Sequence, residues 1–209
     1  ITIDWAAELG APFVVVHTGR IRELKLTAPL QKMVADGKFL TRAFVKKRLD
    51  AIQAREKVSE KYNRLVLGCL SELAAYAGKK GVRLGIENRE HYEAAPLERE
   101  MVAFFQSLNS PHVGYWHDFG HAQIKHNLGF FDHFQWLEKM SPLLIGCHIH
   151  DTRWPFRDHC PPFTGDTPLE KLVSLLPKKC ATVFEMSPRT EAADIQKAAA
   201  AWKQLFNCR

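Results

Sequence analysis

Five short apolar runs punctuate the chain: Pro12–His17 (PFVVVH), Val82–Glu87 (VRLGIE), His112–His117 (HVGYWH), Leu143–His150 (LLIGCHIH) and Ala181–Glu185 (ATVFE). Uninterrupted runs of this length read as strands buried on both faces. The spacing between them is helical. Leu24–Gly78 reads as mainly helical, with a long helix over Thr41–Lys61. Leu97–Leu108, Phe130–Met140, Pro168–Leu176 (entered through Thr167) and Glu191–Phe206 read as further helices, and the residues before Pro12 resemble the end of another. Strands alternating with helices imply parallel pairing, hence an α/β fold with helices outside the sheet. No Gly-rich phosphate-binding fingerprint follows any strand, so the common nucleotide folds are not indicated.

Composition narrows the class without naming it. The 209 residues are 46% hydrophobic and 25% charged, with 12 Gly and 11 Pro, which excludes a disordered or collagenous chain. One domain over 1–209 with a sizeable core is the natural expectation. No apolar stretch approaches the ~18 residues a membrane helix needs, and Asp4 and Glu8 interrupt anything resembling a secretory start. The chain begins at Ile1 rather than Met, so the true start reads as missing. Five cysteines (69, 147, 160, 180 and 208) are odd in number and form no CxxC, which favours reduced thiols and a cytoplasmic location.

The net charge of +6 is unevenly spread. Arg20–Arg64 holds 13 Lys/Arg against 5 Asp/Glu, leaving 16 basic and 18 acidic groups elsewhere. A solvated helix face is the preferred reading of this basic stretch, and a phosphate-backbone surface the lesser one.

The candidate chemistry sits at the ends of the strands. His17, Glu87, Asp118 with His121, His148 with His150, and Glu185 all follow or close an apolar run. In a parallel barrel such ends open on one face, where active sites gather. So many ionisable groups are hard to explain as packing, because buried charge is costly unless paired or metal-bound. Alternation puts His148 and His150 on one face with Ile149 on the other, and only one of the two need be a ligand. Carboxylates with one imidazole suit a single Mn, Mg, Co or Zn ion without choosing among them.

The motifs VVVHTG, GIEN, HDFGHA, CHIHD and VFEMSP, in this order and spacing, resemble the xylose-isomerase-like TIM-barrel superfamily, from about Trp5 to Phe206. That resemblance implies a (β/α)8-type barrel of which five βα units are visible, incomplete at the N-terminus. It implies metal ligands at Glu87, Asp118, His148 and Glu185, with Glu87 and Glu185 also acting as acid and base. His17, His121, His150, Arg153 and His159 are expected to bind substrate or further metal. Arg89, His91, Trp154 and Arg189 lie just beyond strand ends, where they could hold hydroxyls or a phosphate. The segment Arg157–Pro162 with Gly165-Asp166 matches the family's metal-binding loop imperfectly, and the competing reading is a surface loop.

The expected activity is metal-dependent isomerisation or epimerisation of a sugar or sugar phosphate, by proton transfer through an enediolate. The alternatives are an endonuclease-IV-like phosphodiesterase acting on abasic DNA and a non-catalytic or otherwise active member. No membrane partner is expected, and a nucleic acid is the less favoured one. Five units alone would expose two sheet edges, so the chain reads as a fragment of a longer protein, with homo-oligomeric completion as the alternative.

Overall fold

The computed structural model describes residues 1–206; Cys208, one of the five cysteines above, lies outside the described residues. The chain forms two compact units, Ile1–Gly114 and Tyr115–Arg209.

The first unit contains α1 (Thr2–Glu8), β1 (Phe13–Val16), α2 (Thr27–Ala35), α3 (Arg42–Lys79), β2 (Arg83–Glu87) and α4 (Glu98–Leu108). The first two apolar runs become parallel neighbours, with Phe13 opposite Arg83 and Val16 opposite Ile86. Their C-terminal ends therefore carry His17 and Glu87 side by side. The Thr41 side chain starts α3 by accepting from the Phe44 N–H at 3.3 Å, satisfying a donor that the helix itself cannot. Phe44, Ala51, Arg55, Ser59, Leu70, Ala74 and Ala77 are its buried positions, a stripe three, four and seven residues apart that packs against β2 and α4. Lys46, Lys47, Lys57, Lys61 and Arg64 point outward, so the basic stretch forms a solvated face. Inside, the Arg55 guanidinium is fully buried, donating to both Glu100 oxygens and to the Ala94 carbonyl. Glu100 in turn accepts from the Leu97 N–H at 2.9 Å, closing the start of α4.

The second unit follows from β3 (Val113–Asp118), a strand that begins at the end of the first. It contains α5 (Phe119–Asn127), α6 (His133–Met140), a 3-10 turn (Ser141–Leu143) and β4 (Leu144–Ile149). Next come β5 (Asp151–Arg153), β6 (Arg157–Cys160), α7 (Leu169–Val173), β7 (Ala181–Phe184) and α8 (Ala192–Phe206). β3, β4 and β7 are parallel, and Asp118 stands opposite His148. β5 and β6 form a separate antiparallel hairpin, so the segment read as a loop is a strand pair. α5, not anticipated from the sequence, starts directly at Asp118, whose carboxylate caps it by accepting from the His121 N–H at 2.7 Å.

Alternation along β3 separates two environments. Trp116 and Asp118 face one way, where Gly146 leaves room for the indole: a Cβ there would stand 2.1 Å from the Trp116 ring. Tyr115 and His117 face the other way, into a buried chain of hydrogen bonds. Trp136 Nε1 donates to Tyr115 Oη (2.9 Å), which lies 2.8 Å from His117 Nδ1. His117 Nε2 meets His133 Nε2 at 2.9 Å, and His133 Nδ1 meets Gln123 Oε1 at 2.9 Å. Gln123 donates to Asn127 Oδ1 (2.9 Å), and Asn127 donates to the Pro155 carbonyl (2.9 Å). One proton assignment satisfies every link: each group donates to the next, with both histidines neutral. Burial acts in the same direction, lowering His117 to about 3 and His133 well below its usual range.

Cys69, Cys147, Cys160 and Cys180 are free thiols. Among the described residues, no helix is long and apolar enough to cross a membrane.

Candidate active site

In the second unit, parallel register brings the expected ligands together. His148 Nδ1 lies 2.9 Å from Glu185 Oε2 and 3.6 Å from Asp118 Oδ2, so one imidazole nitrogen faces two carboxylates. Asp118 is fully buried, while the Glu185 side chain is 42% exposed. Burial alone would raise the Asp118 carboxyl, but the neighbouring His121 and His150 and the hydrogen bonds from His148 and His150 hold it well below the usual carboxylate range. For Glu185 the hydrogen bond from His148 is the largest influence and lowers it, against a smaller opposing effect of burial. Two ionised carboxylates and an imidazole, with donor atoms converging, make a set that fits a divalent ion.

The role of His150 follows from its bonds. Its Nδ1 accepts from the His159 backbone N–H at 2.8 Å, so its proton sits on Nε2 and is shared with Asp118 Oδ1 and Oδ2 at 3.0 and 3.1 Å. Both His150 ring nitrogens are thereby engaged, whereas His148 Nδ1 faces both acids. His150 instead orients Asp118. Its ring is held from behind by Gly120, where a Cβ would stand 2.0 Å away, and in front by the stacked His159 ring at 4.2 Å.

His121, Asp158 and His159 form a second convergence of ligand atoms. His159 is raised above its usual value chiefly by its hydrogen bond to Asp158, at 3.1 Å. In the imperfectly matched segment, β6 brings His159 within ligand-atom distance of His150 and Glu185. Beside it opens a cavity of about 600 Å³, lined by His159, Ser187, Thr190 and three arginines, 153, 157 and 189. Arg157 enters the sequence reading only as the first residue of the Arg157–Pro162 segment, because nothing in a short polar run marks an arginine as a cavity residue.

In the first unit, Glu87 is 2% exposed at the end of β2. His17 Nε2 lies 2.8 Å from Glu87 Oε2, and the Arg89 guanidinium donates to Glu87 Oε1 at 2.7 Å. Arg89 also lies 2.9 Å from His17 Nε2, which can donate to Glu87 or accept from Arg89 but cannot do both. His17, Arg89 and His91 line a cavity of about 290 Å³.

Comparison with known proteins places this architecture. Residues 2–205 match the family described as xylose isomerase-like TIM barrel. A D-tagatose 3-epimerase-like protein shares 20% identity at a TM-score of 0.63, over 99% of this chain and 66% of its own. The 3-keto-D-glucoside 4-epimerase from E. coli shares 16% at 0.63, over 99% and 68%. A D-psicose 3-epimerase crystallised in the presence of D-fructose shares 16% at 0.56, over 98% and 92%. The chain thus spans about two thirds of the length of the first two. No curated protein gives a significant match in sequence.

Proposed function

Because the chain belongs to the xylose isomerase-like TIM barrel family, we propose that it is a divalent-metal-dependent isomerase or epimerase of sugars or sugar phosphates. The observation that carries this reading is His148 Nδ1 facing both Asp118 and Glu185 at the paired ends of three parallel strands. Asp118, His148 and Glu185 would hold the ion, with Glu87 as the expected fourth ligand. Bound there, a divalent ion would polarise the sugar carbonyl and acidify the adjacent C–H.

The residues of the chain do the rest. Glu185, kept ionised by His148, takes or returns a proton at the carbon beside the carbonyl. Glu87 is proposed as its acid–base counterpart. Return of the proton to a different carbon isomerises the sugar, and return to the opposite face of the same carbon epimerises it. Two of the structural neighbours named above are sugar epimerases and the third is epimerase-like, which supports the same class here.

Elemental analysis of the purified protein tests the centre. About one Mn, Mg, Co or Zn per chain is expected, with loss in Glu185→Ala. Glu87→Gln and Glu185→Gln should each lower turnover of the responsive ketose by about 10²–10⁴-fold. Full turnover in either variant would overturn the acid–base assignment, and three zinc ions per chain would favour a phosphodiesterase instead.

A further inference from the structure

Resting on the reading just given, we propose that the sugar this site accepts is acidic, with its phosphate or carboxylate gripped by Arg153, Arg157 and Arg189. Three observations converge. The first is a like-charge pairing on an exposed face. Arg153 and Arg157 are register partners across the β5–β6 hairpin, two like charges directly opposite each other. Such pairs are destabilising, and nothing in the hairpin compensates: none of Arg153, Arg157 or Arg189 forms an ion pair among the described residues. Arg153 donates only to the Thr164 carbonyl, at 2.9 Å.

The second observation is that the hairpin backbone is anchored on several sides by buried side chains and the adjoining loop. Asp166 accepts from the Trp154 N–H at 2.7 Å, and Asn127 holds the Pro155 carbonyl at 2.9 Å. Asp151 accepts from the backbone N–H groups of Thr152, Gly165 and Thr167. The frame fixes the backbone from which the exposed Arg153 and Arg157 side chains project, which lowers part of the positioning cost a ligand would meet. Planar, bidentate donors of this kind suit carboxylate and phosphate oxygens.

The third is position. The three arginines line the 600 Å³ cavity together with Ser187, Thr190 and His159. Ser187 is two residues beyond Glu185, and its N–H is bonded to the His159 carbonyl at 2.9 Å. One molecule could therefore reach the proposed metal ligands at one end and the arginines at the other. The cavity also has acids. Asp158 is turned to His159 and Asp194 to Lys197, which among the described residues leaves Glu191 as the lining carboxylate without an ion pair against three guanidinium groups.

Calorimetric titration of the metal-loaded full chain tests this with three probes: a neutral ketopentose, its 5-phosphate and a ketohexuronate. An acidic probe should bind about tenfold or more tightly than the neutral one, with an advantage that shrinks as salt is added. Preference for the phosphate ester or for the sugar acid identifies which anion is the natural one. Arg157→Gln and Arg189→Gln should each remove most of that advantage, weakening the acidic probes far more than the neutral one. Arg157→Gln should also melt no lower than the parent without ligand, since it relieves the Arg153–Arg157 repulsion. A lower melting temperature with selectivity intact would return Arg157 to a structural role and overturn the proposal. So would equal affinity for neutral and acidic probes, and in that case epimerisation of the neutral ketose would leave the isomerase reading standing. Tight binding of an acidic probe without turnover of any ketose would keep the anion site and sink the isomerase reading.

Discussion

Gly120 occupies the second position of α5, where alanine would ordinarily strengthen a helix by up to about 1 kcal/mol. Here a Cβ would stand 2.0 Å from the His150 ring, and that ring cannot yield. It is buried, bonded to Asp118 through Nε2 and to the His159 N–H through Nδ1, and stacked on the His159 ring. The clash therefore outweighs the helix gain. Gly120→Ala should destabilise the protein by about 1–3 kcal/mol, the usual cost of forcing atoms into a packed site. It should also weaken divalent-ion binding, because a displaced His150 no longer fixes Asp118. Urea unfolding and metal titration of this variant check both effects. Unchanged metal affinity would show that Asp118 needs no support from His150.

At the scale of elements, the five strands of the parallel sheet were legible because each is a compact apolar run, and the residues proposed for the site stood out because they close those runs. α5 was not. Eight of its nine residues are buried, so Phe119, His121, Gln123 and Lys125 give no polar face and no helical period. The β5–β6 hairpin was hidden for a different reason: Asp151–Arg153 and Arg157–Cys160 are short and polar, held by contacts to Asp166 and Asn127 that leave no trace in local patterning. The roles of His148 and His150 also depended on hydrogen-bond partners distant in sequence. The α3–α4 contact offers a test of energetic consequence. Removing the buried guanidinium in Arg55→Ala leaves the half-buried Glu100 with its Leu97 N–H bond but without its charge partner, a loss below the ~3–5 kcal/mol of a fully buried pair. Arg55→Met, which preserves volume but not charge, should also be destabilising, and Arg55→Met with Glu100→Gln should recover part of the loss. Chemical denaturation of the three variants measures this directly.

For the molecule as a whole, acid stability follows from the neutral histidine chain. His117 is lowered to about 3 by burial, and His133 is likewise lowered. In the unfolded chain both take up a proton near pH ~6.5, while the folded protein keeps them neutral. The unfolded state thus binds more protons, and folding stability must fall as pH drops below that value. Each group contributes about 1.4 kcal/mol per pH unit between pH ~6.5 and its folded pKa. Above that window neither contributes to the slope. Denaturation midpoints measured from pH 7 to pH 4 should show this decline, and His133→Gln should reduce the slope by about one proton's worth. A slope unaffected by the substitution would mean that His133 is protonated in the native state.

Trp116, which Gly146 admits beside β4, also lies edge-on to His148, with ring centroids 5.2 Å apart at 67°. This gives the proposed centre its own fluorophore. A paramagnetic ion seated on His148 would be near enough to the indole to quench its emission, whereas diamagnetic zinc or magnesium would leave it bright. Titration with manganese or cobalt should therefore dim the protein's tryptophan signal in step with occupancy, and Trp116→Phe should abolish the change while ion binding persists. Loading could then be followed in real time, before any substrate is known.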